Sequence, residues 1–435
     1  MKKLIHYAGL TCLSVGLSIG QLSAQDGPKA FEGAEIIPIE GDPIENGVLV
    51  VEDGIIQDVG AQGQVNIPNN AEVYDVSDKV IMPGLVDTHS HIGEGDGGDG
   101  SDALHPDVRI LDAINPRSDS FKKARTGGVT TVNVMPGSGH LLSGQTVYLK
   151  LRDANTIYDM LLTDGIEDEI YGGIKMANGT NSIRQNPPFP GTRGKSAALV
   201  REKFVAAEEY RDQLRAAEED EDQDPPSRNL QYEALTEVLD GDRIVHFHTH
   251  THHDIMTAIR LSQEFDFRIV LHHVSEGWKV ADEIAEADVP ASIISLDSPG
   301  GKHEAVNLLY KIGPKLEEAG ADFAYHTDDG ITDSRLFFRM AAQGIRAGLS
   351  RETALESLTI QGAKMMDLED RVGSLVEGKD ADFLILDGDP FSVYTHVQET
   401  WIDGVRVYDR SNPDDYQYSV GGKDVFQGNI HSHFD

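Results

Sequence analysis

Cysteine is all but absent. Cys12 is the only one in 435 residues, and it lies in an N-terminal stretch that reads as a secretory signal. Lys2 and Lys3 precede an apolar run from Leu4 to Ile19, and Leu22-Ser23-Ala24 supplies the small residues of a cleavage site before Gln25. His6, Gly9, Ser14 and Gly16 interrupt that run, so removal rather than anchoring is expected, and Cys12 lacks the small preceding residue of a lipidated cysteine. Residues 1–24 are thus read as a signal peptide and the mature chain as exported, periplasmic or secreted. Without Cys12 it has no disulfide and no thiolate to offer a metal.

Basic residues are also scarce. Removing Lys2 and Lys3 leaves 35 against 73 acidic residues, a formal charge of −38. Such a surface repels nucleic acid and anionic lipid, so neither is an expected partner. It fits a salty or metal-rich milieu and equally fits simple solubility. No later run is long and apolar enough to span a bilayer. The sequence leaves room for a homo-oligomer.

What is present is a change of texture along the chain. Ala34 to Ile39, Gly47 to Val51, Gly54 to Val59 and Glu72 to Val76 are short β-like runs broken by Gly, Pro and Asn, and the pattern returns from Gly373 to Leu386 and from Glu399 to Tyr408. This predicts one small β-sandwich domain composed of residues 25–80 and 372–412, with a tail over 413–435. Between them, over 81–371, strand-like runs alternate with helical ones. Strands are expected at Gly128 to Val134, Tyr171 to Met176, Arg243 to His250, Arg268 to His273, Ala291 to Leu296 and Ala321 to His326. Helices are expected at Lys195 to Glu219, Asp254 to Phe265, Gly277 to Ala287, Lys302 to Ala319 and Ser350 to Ala363. Alternation over roughly 290 residues predicts an α/β (β/α)8 TIM barrel. A doubly wound open sheet is the rival, but no glycine-rich phosphate loop follows the first strand.

In a parallel barrel the reacting residues sit at the carboxyl ends of strands. Metal-binding residue types recur there. Val80-Ile81-Met82-Pro83-Gly84-Leu85-Val86-Asp87-Thr88-His89-Ser90-His91 runs an apolar strand into two histidines that point the same way. Lys175 lies in the strand beginning at Tyr171, His246, His248 and His250 share one face of the next, His272-His273 close another, and Asp328 follows Tyr325-His326-Thr327. Five strand ends converging on such residues point to a metal site.

These residues, with Gly127-Gly128-Val129-Thr130-Thr131, Ile174-Lys175-Met176-Ala177-Asn178-Gly179, Leu358-Thr359-Ile360-Gln361-Gly362-Ala363-Lys364 and Gly373-Ser374-Leu375-Val376-Glu377-Gly378-Lys379-Asp380-Ala381-Asp382, resemble the amidohydrolase superfamily, specifically its imidazolonepropionase-like branch of exported hydrolases. The resemblance covers nearly the whole mature chain. It implies a metal-bearing barrel with a β-sandwich from both termini, His89, His91 and Asp328 on one metal, and a carboxylated Lys175 with His248 and His273 completing a binuclear centre. An ammonium cannot be a ligand, whereas a carbamate offers two oxygens. His250 is then a substrate-facing or ligand-supporting residue counted among the catalytic groups with Asp328. One or two divalent cations are implied, with donors that suit Zn2+ and admit Mn2+, Fe2+ or Co2+. Asp328 would act as general acid/base for a metal-activated water.

The sequence departs from the family where His272 replaces an acidic residue and Thr251-His252-His253 replaces an Arg-containing run. These histidines and His246 could support ligands, bind a further metal, contact an acidic substrate, or lie exposed or buried without a role. Asn178, Arg184 and Lys302 are the candidates to orient a polar or carboxylate-bearing small molecule or short peptide. The expected activity is hydrolysis of an amide, cyclic amide or peptide bond. A mononuclear imidazolonepropionase- or deaminase-like enzyme is one alternative, and a catalytically silent metal- or solute-binding protein is another.

Overall fold

The computed structural model describes residues 27–95, 97–162, 170–220, 222–295 and 302–421. The expected signal peptide lies outside these residues, as does the chain after 421.

Hydrogen bonding joins the two termini in one sheet. Eight strands form it: Lys29–Ile36, Ile44–Glu52, Ile55–Ala61, Glu72–Asp75 and Val80–Pro83 from the N-terminal side, and Phe383–Leu386, Val397–Ile402 and Val405–Asp409 from the C-terminal side. Val80–Pro83 is the seam, pairing parallel with Lys29–Ile36 and antiparallel with Phe383–Leu386. The expected sandwich of two sheets is therefore seen as a single continuous ladder, because that one strand has a partner from each terminus. Aromatic side chains lock the seam. Phe31 meets Phe383 edge-on at 4.9 Å, and Phe383 stacks on Trp401 at 5.5 Å, contacts worth about 0.5–1.5 kcal/mol each beyond area burial. The tail begins as a helix, Pro413–Val420, whose Tyr418 hydroxyl donates to Asp119.

The middle of the chain is α/β. Leu85–Ser90 and Val129–Val134 pair in parallel, and Ile174–Ala177, Val245–Thr249, Ile269–His273, Ala291–Ile293 and Phe323–Tyr325 follow one another in parallel order. Between the two groups stand Leu142–Gln145, antiparallel to Ile174–Ala177, and Val147–Lys150, antiparallel to Val129–Val134. The strand pattern did not reveal this pair. Among the described residues the hydrogen-bonded path is thus two mixed sheets rather than one closed ring, although the Asp328 N–H donates to the His89 carbonyl at 2.9 Å and ties the last strand end to the first.

Helices cover the outside where apolar residues recur at helical spacing. His252–Phe265 buries Ile255, Ala258, Ile259, Ser262 and Phe265 and stops at Asp266, whose φ of 54° leaves the helical region. Arg193–Glu219 starts where the Thr192 side chain accepts from the Lys195 N–H. The single helix expected over Lys302–Ala319 is instead a short turn, His303–Ala305, and a helix, Ile312–Ala319. Pro314 explains the break, since proline has no N–H and fits only the first helical turn. Ser350–Ala363 likewise divides into Arg351–Glu356 and Ile360–Lys364, because Thr359 has a non-helical backbone and turns its hydroxyl to the Leu355 carbonyl. Gly277–Ala287 divides at Val280 into Gly277–Lys279 and Ala281–Glu286.

One buried cation fastens the barrel side to the terminal sheet. Lys150 is 0% exposed and pairs with Asp380 at 2.6 Å, Asp382 at 3.1 Å and Asp403. Burial raises Asp382 to about 6 despite the Lys150 charge. Removing that charge strands the carboxylates in low dielectric. Lys150→Met is expected to lower unfolding free energy by about 3–5 kcal/mol in denaturant titration; a loss under about 1 kcal/mol would show the acidic cluster compensating itself.

Candidate metal centre

Leu85–Ser90 is buried throughout, and its alternation brings His89 and His91 to one side at the strand end. Their Nε2 atoms are 3.3 Å apart. Asp328 places Oδ1 3.1 Å from His91 Nε2 and 3.5 Å from His89 Nε2. On its other edge, His91 Nδ1 lies 2.8 Å from the Met135 carbonyl oxygen. A carbonyl only accepts, so Nδ1 carries the proton and the Nε2 lone pair faces His89 and the carboxylate. Two imidazole lone pairs and a carboxylate converging in this way repel one another unless a cation stands among them. The residues therefore fit a divalent metal with nitrogen and oxygen ligands.

Burial reinforces that chemistry. It holds His89, His248, His272 and His273 well below the ordinary histidine range, and neighbouring charged groups push the same way, so each is a neutral donor at physiological pH. Asp328 goes the other way. Burial opposes its ionisation, but the adjoining His91, with His326 and Lys302 nearby, brings it down to about 2. Lys175, fully buried, has Nζ 3.1 Å from His89 Nε2 and 2.9 Å from the Met135 sulfur, and burial lowers it to about 7.

The remaining expected residues fall around this corner. His273 Nδ1 is 4.0 Å from Asp328 Oδ2 and 3.2 Å from His326 Nε2, and His89, His273 and His326 could share a cation. His248 groups instead with His250 and Glu304, its ring 4.4 Å from that of His273. Asn181 Nδ2 lies 3.1 Å from His248 Nε2. His250 Nδ1 is 2.7 Å from the Ser275 hydroxyl, while its Nε2 is buried with no partner. Asn178 spends its amide nitrogen on the Asp254 carbonyl. Arg184 stacks on Phe189 and donates to the Asn181 carbonyl, so it braces the residue beside His248. Lys302 is exposed and within electrostatic reach of His248, His250 and Asp328. His252 and His253 are exposed at the start of a helix, with His252 paired to Glu276.

Strand ends here are bent out of regular geometry. His273, Val274 and Asp328 have φ of 70°, 49° and 51°, a region that costs non-glycine residues about 1–3 kcal/mol each. Val274 N–H to the Thr249 carbonyl at 3.0 Å and Glu276 N–H to the His250 carbonyl at 2.9 Å hold the first bend.

Sequence reasoning missed Asp87, His326, Met135 and Glu304. Asp87 stands two residues before His89 on the same face, and His326 two before Asp328, so alternation could have found both. Glu304 reaches the site from a turn with no periodicity to announce it. A cleft of about 470 Å3 lined by Arg335, Phe338, Arg339 and Phe391 contains none of these donors.

An amidohydrolase family model matches residues 278–408. An amidohydrolase from Thermotoga maritima is 31% identical, with a TM-score of 0.81 over 88% of this chain and 100% of that one. The amidohydrolase tasK of Hapsidospora irregularis is 26% identical across 83% of this chain, which spans 40% of the fungal protein's length. An imidazolonepropionase from Picrophilus torridus is 21% identical over 85% of this chain and 94% of its own. The likeness to the Thermotoga structure supports a TIM-barrel-like α/β fold for this chain.

Asp87 supports the centre from below. It is 1% exposed and accepts from the Thr327 N–H at 3.0 Å, the Thr327 hydroxyl at 2.5 Å and the His89 N–H at 3.3 Å, joining both strand ends. Asp87→Asn keeps the shape but turns a donor toward Thr327. Zinc affinity, read by chelator competition, is expected to fall about 10- to 100-fold; equal affinity would mean the two strand ends hold their spacing without the carboxylate.

Proposed function

Because this chain belongs to the amidohydrolase superfamily, in its imidazolonepropionase-like branch, and is a metal-dependent hydrolase of carbon–nitrogen bonds, we propose that His89, His91 and Asp328 hold the cation of an exported enzyme that cleaves an amide, cyclic amide or short peptide bond. The observation that carries this reading is the convergence of two Nε2 lone pairs and a carboxylate within 3.5 Å of one another. Bound by His89, His91 and Asp328, a divalent cation such as zinc would lower the pKa of a water molecule and polarise the carbonyl to be attacked.

The chain's own groups do the rest. Asp328, ionised at neutral pH, takes the proton released as the oxygen–carbon bond forms and returns it to the nitrogen as the carbon–nitrogen bond breaks. His250, its Nδ1 engaged by Ser275, offers Nε2 to the substrate. Lys302, whose charge reaches His248, His250 and Asp328, orients a polar or carboxylate-bearing end, while Arg184 and Asn178 hold the loop beside His248. Lys175, whose burial leaves much of its amine uncharged near pH 7, could add dissolved carbon dioxide with loss of a proton to solvent, and the resulting carbamate with His248 and His273 would hold a second cation. The α/β middle of the chain, with its ligands at the ends of parallel strands, is read as a variant of the (β/α)8 barrel, and export rests on Lys2 to Ala24.

A one-cation enzyme with unmodified Lys175 is the second reading. It is favoured by His248 and His273, the residues assigned to the second cation, falling in separate groups, His248 with His250 and Glu304 and His273 with His89 and His326. Native mass spectrometry separates the two: two zinc ions and a carbamate on Lys175 support the binuclear form, one zinc and a free lysine the other. At saturating zinc, Asp328→Asn is expected to lower kcat about 100- to 10,000-fold on a panel of dipeptides, N-acyl amino acids and cyclic amides. Unchanged turnover would remove Asp328 from the proton path.

A further inference from the structure

Four strands send side chains across the interior in an unbroken line. Tyr148 Oη is 2.8 Å from His246 Nε2, His246 Nδ1 is 2.9 Å from His272 Nε2, and His272 Nδ1 is 3.1 Å from His89 Nδ1. His89, His246 and His272 are each 0% exposed. Gly173 makes the room, since a Cβ there would stand 2.4 Å from His246 Cδ2. The far end borders a cleft of about 160 Å3 lined by Tyr148, Tyr171, Asp242 and Asp367. None of Tyr148, His246 and His272 is needed to hold a cation or to move the reaction's proton.

The line has only two consistent polarities, because a neutral imidazole has one N–H and one lone pair. If Tyr148 donates to His246, then His246 Nδ1–H faces His272, His272 Nδ1–H faces His89, and His89 carries its proton on Nε2, where it cannot ligate. In the reverse order His89 donates from Nδ1, His272 and His246 from Nε2, and Tyr148 accepts. Only this order leaves the His89 Nε2 lone pair toward His91 and Asp328. His91 obtains the same result from the Met135 carbonyl; the Nδ1 edge of His89 ends on the imidazole line instead.

We infer that Tyr148, His246 and His272 are positioning residues that fix the tautomer of His89, so that its Nε2 remains a metal ligand. The inference rests on the reading of His89 as a ligand through Nε2. In the Tyr148→Phe protein His246 loses the acceptor for its Nε2–H. The proton then favours Nδ1, two donors confront each other at His272, and the reversal travels to His89.

The test combines nitrogen NMR of 15N-histidine-labelled, zinc-loaded protein with zinc affinity from chelator competition. The wild type is expected to show the proton on Nδ1 of His89 and on Nε2 of His246 and His272. Tyr148→Phe is expected to bind zinc about 10- to 100-fold more weakly while the metal-free proteins unfold at similar temperatures. A proton on Nδ1 of His246 or His272 in the wild type overturns the inference, and that spectrum decides even where Tyr148→Phe does not fold. Equal zinc affinity in both proteins overturns it alone; a wild type that binds no zinc overturns the ligand reading and the inference with it.

Discussion

A buried nitrogen lone pair needs a donor or a cation, and that requirement governs this molecule. His89, His246, His248, His272, His273 and His326 are all at most 3% exposed, packed so closely that they are one another's neighbours. Charging them in such surroundings is unfavourable, so they stay neutral, and neutral imidazoles face each other without repulsion only when each N–H finds a lone pair. Serine hydroxyls, the Met135 carbonyl and Tyr148 satisfy the outer edges. The edges of His89 and His91 that face Asp328 converge where a cation can stand, and His248 Nδ1, His250 Nε2 and His273 Nε2 are further buried nitrogens without a hydrogen-bond partner among the described residues.

The rest of the fold keeps that convergence in place. Asp87 couples the first strand end to the last, and Lys123 pairs with buried Asp329 at 2.7 Å just beyond Asp328. On the opposite side, Lys150 binds aspartates of the terminal sheet, and the Phe31, Phe383 and Trp401 cluster ties that sheet's two halves together. The two halves of the terminal sheet are thus fixed relative to the strands that carry the ligands. Positive φ at His273, Val274 and Asp328 places unfavourable backbone where the donors must turn inward, a cost the surrounding hydrogen bonds offset.

Much of this was legible because strand alternation is strict. His89-x-His91 and the residues of 245–250 declared their shared faces, and βα alternation placed the strand ends that carry Lys175, His273 and Asp328. Three kinds of feature were not legible. The antiparallel strands Leu142–Gln145 and Val147–Lys150 are fixed by tertiary pairing, so local pattern did not separate them from loop. Glu304 depends on how a turn folds back onto Thr180 and His248. The long helix read at Lys302–Ala319 ignored Pro314, which the chemistry of proline should have prevented. For His246 and His272 the sequence leaves several roles open, and only their hydrogen-bond partners place them in line with His89.

The measurement that reaches the centre of this picture is anomalous X-ray diffraction at the zinc edge on crystals of the zinc-loaded protein. The expected result is a peak about 2.0–2.2 Å from His89 Nε2, His91 Nε2 and an Asp328 carboxylate oxygen. Full-occupancy zinc bound elsewhere, with His89 Nε2 and His91 Nε2 bonded to protein or water, would contradict it.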